Sequence, residues 1–137
     1  MLRGETLLEM AFMAASPKAE PERITVQHIL ISFAGTGTDA TRSRQEAEEL
    51  AGETLARVKK GEDFTAVMKQ LSDDPGAGVY SMFNTGATKK DPNEYPRKGM
   101  VPAFGNVGFK LEVGGIGVAP HDPQASPFGW HIIKRLK

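Results

Sequence analysis

The chain has no cysteine among its 137 residues. That excludes disulfides, thiolate metal ligands and thiol nucleophiles, and leaves the redox compartment open. Net charge is missing too: 17 basic side chains balance 17 acidic ones, with no long stretch of one sign. Nucleic-acid binding needs a basic field to neutralise phosphates, so no nucleic-acid partner is expected. No apolar run nears the ~20 residues that span a bilayer, so no membrane partner is expected either. Gly-x-Ser-x-Gly, His-Glu-x-x-His and the dinucleotide glycine fingerprint are all lacking, which removes the common hydrolase and nucleotide-enzyme signatures. The glycine-bearing loop Ala34–Asp39 lacks the lysine and the strand-to-helix setting of a phosphate cradle.

What is present describes one globular unit. Apolar and charged fractions of 39% and 25% are ordinary, and the length suits a single core. Residues 1–23 read as an extension and linker, and residues 24–137 as the domain. In the extension, Leu7, Leu8, Ala11, Phe12 and Ala15 fall on one helical face. Such a helix could dock on the domain, meet a partner or remain a loose tail. Glu5 and Glu9 interrupt the apolar stretch, which is short for a signal-peptide core, so the expected compartment is the cytoplasm. Met13 is a second candidate start.

Ile24–Phe33 is rich in β-branched and aromatic residues and predicts a strand with both faces covered. Ser43 and Glu46 have capping-box spacing before the stripe Ala47, Leu50, Ala51, Thr54, Leu55 and Val58, and Gly61 stops that helix. Asp63 caps a second helix with Phe64, Val67, Met68 and Leu71 on one face. Val79–Phe83 predicts a short strand, and Asn84–Gly99 a polar excursion. Pro102 opens a third helix carrying Phe104, Val107 and Phe109. Ile116–Ala119 and Gly129–Leu136 predict two closing strands. The expected fold is α+β, a four-stranded antiparallel sheet covered by about three to four helices.

His28 and His131 lie inside apolar strands at opposite ends of the domain, which suggests neighbouring strands with facing imidazoles. Two readings stand: a buried hydrogen-bonded pair that fixes the sheet, or a catalytic pair. A metal site is not expected, since only Asp74 offers itself as a further ligand.

Three stretches, taken in order, resemble the parvulin family of peptidyl-prolyl cis/trans isomerases. The first is Gln27-His28-Ile29-Leu30. The second runs from Gly61-Glu62-Asp63-Phe64 to Leu71-Ser72-Asp73-Asp74. The third comprises Gly99–Phe104, Gly108-Phe109, Leu111–Gly114 and Phe128–Ile133. The resemblance implies a proline pocket walled by Tyr80, Met100, Phe104 and Phe128, and a catalytic group of His28, Asp74, Ser126 and His131. In it, Asp74 stands where many members carry cysteine, and Ser126 matches the hydroxyl that bonds the histidines. It implies no cofactor, proline-containing polypeptides as partners and a monomer. Two departures stand out: Gly78–Phe83 differs from the family's glycine-rich stretch, so Tyr80 should narrow or polarise the pocket, and the excursion is longer than in minimal members. The phosphate-reading branch has a basic cluster after the first strand, which Ala34–Asp39 lacks; Arg42 and Arg44 read as a solvated helix entrance. The chemistry needs nothing covalent, because X–Pro rotation is slowed only by amide conjugation, with a barrier of about 18–20 kcal/mol. The alternative is a non-catalytic chaperone or binding module for apolar proline-containing segments.

Overall fold

The computed structural model describes residues 19–76 and 78–137. The amphipathic segment at residues 7–15 lies outside them. Strand β1 (Arg23–Ile31) is followed by helices α1 (Arg44–Lys59) and α2 (Phe64–Leu71). Strands β2 (Val79–Phe83) and β3 (Glu94–Pro96), a 3-10 turn (Arg97–Gly99), helix α3 (Pro102–Gly108) and strands β4 (Ile116–Ala119) and β5 (Trp130–Arg135) complete the order. The helix boundaries follow local chemistry. The Ser43 hydroxyl accepts from the Glu46 amide while the Glu46 carboxylate accepts from the Ser43 amide, closing the capping box. The Asp63 carboxylate caps α2 at the Ala66 amide, and Gly61 takes the positive φ of 110° that ends α1.

The sheet runs β3-β2-β1-β5-β4. β1 is antiparallel to β2 and β5, and β4 to β5, but β3 runs parallel to β2. The expected four-stranded antiparallel sheet is therefore a five-stranded mixed one. Its extra strand arises inside the polar excursion, pinned to β1 by the ion pair of Arg23 Nε with Glu94 at 3.0 Å. Period-2 alternation gives β1 two working faces. Ile29 and Ile31, with Trp130 and Ile132, pack under Ala47, Ala51 and Val58 of α1 and Phe64, Val67 and Met68 of α2. Ile24 and Val26, with Met82, Ile133 and Ala119, pack under Phe104 and Phe109. Burial of these apolar side chains, about 1.5–3 kcal/mol for each Val, Ile, Met or Phe and less for each Ala, supplies the core.

One edge of β1 changes partner halfway along. Pairing with β2 covers residues 23–27 only. Past that point the His28 amide donates to the Gly78 carbonyl (2.9 Å), the Leu30 amide to Ser72 Oγ (3.0 Å) and the Ser32 amide to Asp73 Oδ2 (2.8 Å). The Asp73 amide returns a bond to the Leu30 carbonyl at 2.8 Å. The turn after α2 thus takes the place of a strand and carries Asp74 to the side of His28.

Candidate active site

His28 lies on the α3-facing side of β1. His131 on β5 sits diagonally across, since His28 is in register with Ile133 and Leu30 with His131. The two rings stack at 5.3 Å with planes 19° apart, and their Nδ1 atoms are 3.2 Å from each other. Both residues are buried. His28 Nε2 lies 2.7 Å from Asp74 Oδ2, which also accepts from the Tyr80 hydroxyl at 2.7 Å; Asp74 Oδ1 accepts from the Gly76 amide at 2.9 Å.

The protons in this line follow from its donors and acceptors. The His28 hydrogen bond and the two further donors hold the Asp74 carboxyl well below the usual carboxylate range, so it is ionised and only accepts. His28 must then donate through Nε2. Burial, with the neighbouring His28, pushes His131 down to about 3, so His131 is neutral. His28 Nδ1 and His131 Nδ1, 3.2 Å apart, share one hydrogen bond. His131 Nε2 has no hydrogen-bond partner among the described residues. Burial and the Asp74 charge push the Tyr80 phenol up, keeping it a donor.

Over this polar line opens a slot of 190 Å³, lined by His28, Leu30, Asp74, Tyr80, Met100, Val101, Phe104, Phe128 and His131. Phe104 is its hub. Held in the first turn of α3 behind Pro102, its ring meets His28 at 5.0 Å, Tyr80 at 5.9 Å and His131 at 5.7 Å, all edge to face. Met100 precedes the helix, and Phe128, 41% exposed, forms the rim. A larger hollow of 410 Å³ lies by the start of β1, among Arg23, Thr25, Ser81, Asp91, Glu94 and Lys137. Its Arg23 and Glu94 are paired with each other, and Ile24 is the one apolar residue among those that line it.

Seven of the eight expected site residues converge here. Ser126 does not line the slot. It is fully buried, and its hydroxyl donates to the Gly129 carbonyl at 2.8 Å; no bond to either histidine forms. The reason is the tight segment around it. Asp122 and Ser126 exchange backbone bonds, the Ala103 amide donates to the Ala125 carbonyl, and Ser32 Oγ donates to the Phe128 carbonyl at 2.6 Å. Ser126 therefore holds the loop that presents Phe128. Tyr80 does polarise the slot, through its bond to Asp74.

Sequence reasoning missed Leu30 and Val101 as walls, although Leu30 shares the face of His28 by simple alternation. It also missed Asp73, which anchors the turn that delivers Asp74. The solvated reading fails for Arg42, which is half-buried, and holds for Arg44, which is exposed. Arg42 donates to Asp73 (2.6 Å) and to the Ser32 carbonyl (2.8 Å), and Arg44 lies over Trp130 at 5.9 Å, with its Nε 3.5 Å from His121 Nδ1.

The family model described as a PPIC-type PPIASE domain matches residues 12–137. The chain belongs to this family, the parvulin-type prolyl isomerases. Among curated relatives, this parvulin domain is 33% identical over 115 residues to the chaperone SurA of Pseudomonas fluorescens, covering 84% of the chain and 23% of the relative. It is 37% identical over 91 residues to the foldase protein PrsA 4 of Bacillus cereus, covering 64% of the chain and 27% of the relative. The parvulin domain thus spans about a quarter of the length of these relatives. The fold matches the solution structure of TbPIN1 at TM-score 0.61 and 22% identity, covering 85% of this chain and 98% of that one. It also matches the peptidyl-prolyl isomerase ESS1 from Candida albicans at TM-score 0.59 and 20% identity, covering 98% and 77%.

Proposed function

We propose that this parvulin domain catalyses non-covalent cis/trans rotation about X–Pro bonds in unphosphorylated polypeptides, and so assists protein folding. The observation that carries the reading is the apolar slot of Met100, Phe104 and Phe128 opening beside an ionised Asp74. A proline ring seated against Phe104 is held while the preceding carbonyl turns outside the slot. In the planar amide the carbonyl oxygen carries resonance charge; in the twisted transition state it carries less. A fixed carboxylate nearby raises the energy of the planar form more than that of the twisted one, and apolar walls exclude water that would screen it. Each ~1.4 kcal/mol of such differential binding accelerates rotation tenfold. The histidines hold the carboxylate in place.

A second reading has its own support. Asp74 already accepts three hydrogen bonds, which spread its charge, and an apolar slot with a muted carboxylate would bind proline segments without turning them over. NMR exchange spectroscopy on an Ala-Pro tetrapeptide decides between the two. Accelerated exchange is expected; saturable binding with the uncatalysed exchange rate would establish the binding module.

A further inference from the structure

The slot does not end at Tyr80. Tyr80 and Met82 share one face of β2, and Met82 is in register with Tyr95 across the parallel β2–β3 pair, so all three side chains stand on the slot's face of the sheet. Met82 is buried, but Tyr95 is 47% exposed. The Tyr95 ring meets Tyr80 edge to face at 5.7 Å.

The mount of that ring is rigid. On one side the Glu94 carboxylate accepts from the Lys90 amide (2.9 Å), the Asp91 amide (3.2 Å) and Arg23 (3.0 Å). On the other, Arg97 donates to Glu20, Asn84 and Asn106, and lies over the Phe109 ring at 4.8 Å. An exposed aromatic ring fixed in advance loses little freedom on binding, and that is how a surface ring becomes a recognition element. The slot itself, at 190 Å³, is smaller than the ~300 Å³ at which ligand pockets usually begin. A side chain beside the proline must therefore rest outside it.

We propose that Tyr95 is a specificity-determining residue. With Tyr80 it forms an aromatic ledge that receives a phenylalanine-like side chain adjacent to the substrate proline. The inference rests on reading the slot as a proline pocket, but not on turnover.

The test is NMR titration of short peptides with Phe or Ala immediately before or after the proline, against the wild type, Tyr95→Ala and Tyr95→Phe. The wild type is expected to favour one Phe-flanked peptide. Tyr95→Ala should weaken that peptide by about three- to tenfold, the usual worth of an aromatic pair. The loss should be confined to Phe-flanked peptides, and Tyr95→Phe should restore it. No preference in the wild type overturns the ledge. So does a Tyr95→Ala loss shared equally by Ala-flanked peptides, which would make the ring a support for Tyr80. Exchange rates recorded on the same samples separate the two claims. The expected binding pattern without accelerated exchange keeps the ledge and removes the isomerase. Accelerated exchange with unchanged binding in Tyr95→Ala does the reverse.

Discussion

Asp74 and His131 form the two ends of a single proton line, and their ionisation ties the site to pH in the same direction. A carboxyl held ionised below its ordinary pKa of about 3.9 adds stability that is complete above that pH and drains away as pH falls through it. A histidine held neutral down to about 3 acts earlier. The unfolded chain takes up a proton below about 6.5 while the folded one does not, so stability falls between those values, by up to ~1.4 kcal/mol per pH unit. Calorimetric melting between pH 7.5 and 5 is expected to show this slope, and His131→Gln to flatten it; an unchanged slope would place the titrating group elsewhere. Asp74→Asn tests the electrostatic account. It is expected to lower kcat/KM by about tenfold or more with peptide affinity nearly unchanged, and Tyr80→Phe to preserve or raise the rate by freeing the carboxylate. Full activity in Asp74→Asn would reduce Asp74 to a turn former beside Pro75.

At the scale of elements, what could be read in the sequence was what local chemistry decides. The Ser43–Glu46 box, the Asp63 cap, the Gly61 stop and Pro102 at the start of α3 each fix a boundary with neighbouring residues alone. The convergence of His28, Asp74, Met100, Phe104 and His131 was legible through family resemblance. Strand β3 was not, because Glu94-Tyr95-Pro96 carries no strand pattern and owes its place to Arg23, 71 residues away. The bonding of Ser126 was equally hidden, since a hydroxyl's partner is chosen by the packed loop around it. One consequence concerns the excursion, which is no detachable loop. Replacing residues 88–97 with a Gly/Ser linker removes the Arg23–Glu94 and Arg97–Glu20 pairs and bares the edge of β2. The melting temperature is expected to drop by roughly 5 °C or more. Gly129 is a sharper case. Its φ is 141°, and a Cβ there would run into the Ile31 carbonyl and Ser32. Gly129→Ala should therefore shift the Phe128 rim and cost about 1–3 kcal/mol in denaturant unfolding.

The molecule as a whole carries no formal net charge, with 17 basic against 17 acidic residues. Arg42 is already committed to Asp73, and Arg44, exposed, lies over Trp130 on the face of the sheet opposite the slot. Phosphorylated and plain Ser-Pro peptides are expected to turn over within about a factor of ten of each other, with little dependence on salt. A hundredfold preference for the phosphorylated form would mean that these arginines change partners. The broken edge of β1 has a further consequence, in hydrogen exchange. Successive amides of a strand point to opposite edges. On one edge, β5 holds Gln27, Ile29 and Ile31 inside the sheet. On the other, His28, Leu30 and Ser32 donate to the turn that carries Asp74. Opening that turn frees the second set without unfolding the first. Alternate amides of one buried strand should therefore exchange at two different free energies, the lower one being the cost of taking the site apart while the core stays folded.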